Sequence, residues 1–151
     1  MITQTLGTEL DRFGETVLIK QVSQLALTPV YTFFLRQMAE LIDKGLALPM
    51  TGWDDYTCGA VYAEINGKIV GHIVYDTNKK PGIIWITLSA VEKDYRGREI
   101  YNMMHRYFEA FGKEKGYHYI SSYVHVNNNE RIRSAEKVGM TPQYYLMSKK
   151  I

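Results

Sequence analysis

The dipeptide Asn66-Gly67 lies between two β-rich runs, Cys58–Ile65 and Lys68–Asp76, and constrains the fold more than any other feature of the chain. A type I′ turn needs positive φ at both central positions, which Asn and Gly tolerate best, so the two runs are expected to pair as an antiparallel hairpin. A second turn, Asn78-Lys79-Lys80-Pro81-Gly82, leads into a third apolar run, Ile83–Val91, and extends the hairpin to a three-stranded meander.

Strands and helices are expected on either side of this meander. Residues Glu15–Val22 are rich in β-favouring side chains and too short for a typical helix, which predicts a strand. Over Gln24–Leu48, the residues Leu27, Val30, Tyr31, Phe34, Met38, Leu41 and Ile42 recur at threes and fours, the spacing of an amphipathic helix, with Pro29 as a point of interruption. Beyond Val91 the same spacing returns in Ile100, Met103, Met104, Tyr107, Phe108 and Phe111, and Gly116 stops that helix. Residues Tyr117–Val126 alternate as a strand, with Tyr119, Ser121, Tyr123 and His125 on one face. A short helix over Asn129–Val138, ended by Gly139, and a closing strand over Gln143–Ser148 complete the order. Strand, helix, three strands, helix, strand, helix, strand predicts an α/β (α+β) domain spanning residues 1–151, with a mixed, mostly antiparallel sheet flanked by helices.

Composition narrows the function classes. At 151 residues the chain has the size of one globular domain, and 46% hydrophobic with 23% charged residues is an ordinary globular balance. The formal charge of +2 is spread among acids without a one-sided basic stripe, which argues against a nucleic-acid module. A lone Cys58 has no disulfide partner within the chain and no Cys/His pair has zinc-ligand spacing, so a small buried residue in a reducing compartment is expected, with no metal. Neither a signal peptide nor a membrane-spanning run is apparent, which predicts a soluble cytoplasmic protein.

The segment from Val91 to Tyr101 (VEKDYRGREIY) passes from a strand through a short turn into an amphipathic helix. The first N–H groups of a helix have no intrahelical acceptor, and the macrodipole places partial positive charge beside them. Arg96 and Arg98 add full charges, and Gly97 allows close backbone approach. On these grounds an anion site and an ordinary helix start are equally supported.

Val91–Met104 resembles the signature of the GNAT (general N-acetyltransferase) superfamily, in which a valine ending the fourth strand precedes a turn ending Tyr-Arg-Gly and then the coenzyme-binding helix. Asn128–Met140 (NNERIRSAEKVGM) is similar to that family's Asn-initiated short helix ending in Gly and a large apolar residue. The resemblance implies a GNAT fold with a splay after the fourth strand, acetyl-coenzyme A as co-substrate and a small-molecule or peptide amine as acceptor; a homodimer is compatible with it. Ser89, Ala90 and Val91 would offer backbone groups to the pantetheine arm. Arg96, Gly97, Arg98, Glu99, Ile100, Tyr101 and Asn102 would surround the diphosphate, and Asn128 would meet the pantetheine or acyl end.

This chain departs from the family pattern at three positions. Glu99 and Tyr101 stand where the loop has small residues, and a carboxylate at Glu99 would repel a diphosphate. Ala135 stands where many members carry a tyrosine that protonates the departing thiolate. Loss of that acid is tolerable, because a thiol with a pKa near ~8.5 leaves readily as thiolate, whereas an amine with a pKa of about 10.4 must be deprotonated before it attacks. Tyr123 and His125 are the candidate acid–base groups, with a water chain as an equal alternative for the base. Trp53, Asp54, Asp55, Tyr56, Tyr144 and Tyr145 are the candidate acceptor contacts through charge and cation–π attraction, equally readable as loop and core residues. The expected activity is acetyl transfer to a primary amine; the alternative is a GNAT-fold binding protein that has lost catalysis.

Overall fold

The structure is a computed structural model and describes residues 3–47 and 58–151. Among the described residues, six strands form one sheet in sequence order. They are β1 (Thr3–Leu10), β2 (Thr16–Val22), β3 (Cys58–Ile65), β4 (Lys68–Asp76), β5 (Ile83–Val91) and β6 (Tyr119–Ser122). The helices are α1 (Pro29–Asp43), α2 (Ile100–Glu114) and α3 (Asn129–Lys137). All neighbouring strands pair antiparallel except β5 and β6, which run parallel because α2 carries the chain back across the sheet.

The expected meander is present with its expected ends. Asn66 and Gly67 take φ of 50° and 78°, the left-handed pair that a type I′ turn requires. Strand β3 alternates strictly: Val61, Ala63 and Ile65 face one layer, and Cys58, Ala60 and Tyr62 face the other. On the first face, Ile100, Met103, Met104, Phe108 and Phe111 of α2 cover the sheet. Val30, Phe34 and Met38 of α1 cover the second. Pro29 begins α1 rather than interrupting it, because the first helical position needs no N–H; a single 3-10 turn, Leu25–Leu27, precedes it.

Three expectations need correction. Strand β1 was not expected, so the strand ending at Val91 is the fifth rather than the fourth. The strand expected over Tyr117–Val126 is confined to β6, because its one partner among the described residues, β5, stays in register with it no further than Ile86 opposite Ser122. The closing strand over Gln143–Ser148 is absent: the segment has no regular structure and no ladder partner, and Tyr144 and Tyr145 are 95% and 87% exposed.

Strand β5 carries the feature that shapes the site. Val74 pairs with Leu88 but Tyr75 with Ile86, which leaves Thr87 as an extra residue in β5. The bulge reverses the alternation, so Ile84 and Ile86 face α2 while Leu88, two residues on, faces α1. Beyond it β5 remains paired to β4 on one side and has no β6 partner on the other. The sheet is therefore splayed at this point.

Candidate active site

The open edge after the bulge is half of a groove of about 1010 Å³. Backbone groups alternate in direction along a strand, and Glu92 donates its N–H back to Val70 of β4. Ala90, in phase with Glu92, therefore directs its polar groups into the sheet, while Ser89 and Val91 direct theirs to the open edge. One of these is already used, since Arg96 Nε donates to the Val91 carbonyl at 3.0 Å. Of the three residues expected to offer backbone groups, Ser89 and Val91 have the geometry and Ala90 does not.

The chain then turns through a 3-10 segment, Lys93–Tyr95, into α2. Gly97 sits at φ 75° and Glu99 at φ 67°, both left-handed. Glycine adopts this conformation without cost, whereas a residue with a Cβ pays about 1–2 kcal/mol. No side chain caps the start of α2, so its first N–H groups remain open where Ile100, Tyr101 and Asn102 line the groove. The Glu99 carboxylate is bound by Asn102 Nδ2 and lies 3.5 Å from Arg12, a residue that lines a second cavity between β1 and α2. Glu99 and Asn102 line the groove as well as this second cavity, so these partners offset the carboxylate's charge without removing it from the groove.

Arg98 is placed differently from the sequence expectation. Its guanidinium bonds to Glu15 Oε1 at 3.0 Å and Asp11 Oδ2 at 3.4 Å, between the rings of Phe13 and Tyr95, and it lines the second cavity. Burial alone would raise the Asp11 pKa, but the N–H groups of Glu15 and Phe13 and the Arg98 guanidinium outweigh it and hold the carboxyl below its ordinary value. Arg98 thus fastens the loop after β5 to the β1–β2 turn, and its charge is spent there.

The opposite wall comes from the chain after β6 and from α3. Tyr123, His125, Asn128 and Tyr145 line the same groove as Ser89 and Tyr101, so the structure brings these sequence candidates together. His125 Nδ1 accepts the N–H of Asn127 at 3.1 Å, which commits its free lone pair and puts the ring proton on Nε2. That tautomer suits a hydrogen-bond donor better than a base. Asn128 caps α3, its Oδ1 accepting from the Arg131 N–H at 3.2 Å, which leaves its amide NH2 and one lone pair of Oδ1 for a ligand. Ala135 is 7% exposed and absent from the groove, whose α3 wall includes Arg131 and Ser134. Trp53, Asp54, Asp55 and Tyr56 lie outside the described residues.

Sequence reasoning missed Arg131, whose Nη1 donates to the Tyr101 hydroxyl at 2.8 Å across the groove wall. The signal available was its position three residues after Asn128, one helical turn along the same face. His72 was missed as well. It is fully buried on β4 against Phe33 and Phe34, both ring nitrogens lack a partner, and burial, aided by Arg36, pushes its pKa down to about 3.

A mixed sheet splayed beside an uncapped helix start is the arrangement of an acyltransferase fold. The chain belongs to the acetyltransferase (GNAT) family, whose model matches residues 24–140. Solved structures agree in fold. An aminoglycoside acetyltransferase, meta-AAC0020, from an uncultured soil metagenomic sample in complex with sisomicin superposes with a TM-score of 0.67 at 14% identity, over 89% of this chain and 95% of that one. The ribosomal-protein-alanine N-acetyltransferase from Brucella melitensis biovar Abortus 2308 gives 0.67 at 14% identity, over 89% and 99%. The aminoglycoside N-acetyltransferase AAC(6')-Iy in complex with CoA gives 0.64 at 14% identity, over 88% and 98%. No curated protein matches significantly by sequence.

Proposed function

We propose that the chain is an acyl-coenzyme A-dependent N-acyltransferase that moves acetyl from acetyl-coenzyme A to a primary amine, on a small molecule or a peptide, by direct attack. The observation that carries this reading is the continuity of the groove. An open strand edge at Ser89 and Val91 runs on into the uncapped N–H groups of α2, which suits a long ligand with amides at one end and phosphates at the other. The coenzyme supplies an acyl thioester that is already activated, so the protein mainly has to hold two reactants in contact. Ser89 and Val91 pair with the amide-bearing arm, α2 holds the anionic end, and Tyr123 and His125 stand at the wall where the acceptor enters. The reading includes a soluble protein in a reducing compartment, in keeping with a buried Cys58 and with no described helix long and apolar enough to cross a membrane.

Thermal melting with acetyl-coenzyme A, followed by thiol release over a panel of amines, tests the proposal. A ligand bound only to the folded state raises the melting temperature by mass action. No shift at millimolar acetyl-coenzyme A sinks the reading. A shift without thiol release from any amine favours the second reading, a binding protein, which the side chains at Glu99 and Tyr101 and the missing hydroxyl at Ala135 support.

A further inference from the structure

The cations around the groove differ in what they are bound to. Arg96 is tied to the Val91 carbonyl and lies 3.8 Å from Glu130, and Arg98 is neutralised by Asp11 and Glu15 outside the groove. Arg131 takes part in no salt bridge among the described residues. Its Nη1 donates to the Tyr101 hydroxyl at 2.8 Å and to Ser134 Oγ at 3.3 Å, and its guanidinium carbon lies 5.4 Å from the centre of the Tyr101 ring. Those contacts hold the guanidinium against the Tyr101 ring. Its Nη2 is buried and has no acceptor. A charged donor closed off from water without a partner is costly, and a small turn of the guanidinium that opens Nη2 to the groove lets an anion supply the missing acceptor. Tyr101, Arg131 and the open N–H groups at the start of α2 line the same cavity.

We propose that Arg131, turned so that Nη2 opens to the groove, binds the diphosphate group of the ligand, with Tyr101 as its positioning residue. The pair gives the site a side-chain anion clamp where Glu99 and Tyr101 occupy the small-residue positions of the loop. This inference rests on the coenzyme reading and deepens it: the groove selects for a diphosphate rather than for the ribose phosphate or the thiol arm alone.

The test measures equilibrium binding of coenzyme A and of 3′-dephospho-coenzyme A, together with displacement of bound coenzyme A by inorganic pyrophosphate. The unaltered chain, Arg131→Ala, Arg131→Lys and Tyr101→Phe are compared. Arg131→Ala is expected to weaken both coenzyme forms equally, by about ten- to a hundred-fold, the usual worth of hydrogen bonds to a charged group, and to abolish displacement by pyrophosphate. Arg131→Lys keeps the charge without the planar fork and recovers part of the loss. Tyr101→Phe keeps Arg131, loosens its guanidinium and weakens both forms by a smaller factor, which carries the test should Arg131→Ala fail to fold. Unchanged affinity in Arg131→Ala overturns the proposal. So does a loss confined to coenzyme A with the dephospho form spared, which would assign Arg131 to the ribose phosphate. Direct binding of pyrophosphate, dependent on Arg131, by a chain that ignores coenzyme A would overturn the coenzyme reading and leave the clamp standing. Binding of neither would remove both.

Discussion

Glu99 looked like a defect in the sequence, a carboxylate where a phosphate loop needs a small residue, and its backbone is indeed the strained one at φ 67°. Its charge is offset by Asn102 and Arg12, while the residue lines both the groove and the second cavity. Glu99→Gly is therefore expected to relieve strain that outweighs a half-exposed ion pair, raising stability by about 0.5–1 kcal/mol. Coenzyme A affinity should change by less than about threefold, the scale of an exposed charge. Tightening by more than tenfold would show that the carboxylate repels the bound diphosphate despite these partners. His72 gives a second residue-scale prediction. Its folded pKa, about 3, lies below the ordinary 6.5, so its contribution is complete above about 6.5 and is lost as the pH falls toward 3. His105, also held low chiefly by burial, adds to the same acid loss. Denaturant melts should show stability falling below pH 6.5 by up to about 1.4 kcal/mol per pH unit for each histidine. His72→Leu should flatten that slope and be stabilising or neutral near pH 7, since no partner is lost. An unaltered slope would mean that His72 finds water or a proton acceptor in solution.

At the scale of elements, legibility followed from how much of each pattern was local. The β3–β4 hairpin was readable because its turn residues and its alternation agree, and α2 because its apolar stripe repeats through Phe111. Strand β1 was not, since an edge strand buries little and its Gly7 breaks the pattern. That glycine answers to a distant contact: a Cβ there would lie 2.4 Å from the Tyr107 ring of α2. The Thr87 bulge was equally invisible, because it is a property of two strands in register. In the site, the loop after Val91 and the turn at Asn128 were legible from residue types, but the inward turn of Ala135 and the Arg131–Tyr101 bond depend on how α3 rotates against α2. That rotation yields a prediction. Ala135 is buried, so Ala135→Tyr must force a large ring into packed space and should cost about 1–3 kcal/mol without raising kcat. A stable Ala135→Tyr variant with a higher kcat would mean that this face of α3 meets the groove and that a missing acid had been restored.

Taken whole, the molecule has a well-packed half and a loosely held one. From β1 through α2, side chains of both helices fill the two faces of the sheet. After β6 few residues are buried, and the last segment, with Tyr144, Tyr145, Leu146 and Met147 each at least 60% exposed, contributes almost nothing to the core. Some of those residues nevertheless line the groove opposite β5, where an acceptor would enter. Stability and acceptor binding are thus assigned to different parts of the chain. Removing residues 143–151 should leave the melting temperature within about 2 °C, since surface changes away from packed features stay within roughly 0.5 kcal/mol. The same truncation should raise the KM for the amine while leaving the Kd for coenzyme A unchanged, because Ser89, Val91, Arg131 and the start of α2 are untouched. Thermal melts and steady-state kinetics on the truncated chain decide the matter. A large fall in melting temperature would show that Gln143–Ser148 packs on the sheet in solution. An unchanged amine KM would place the acceptor site elsewhere on the groove wall.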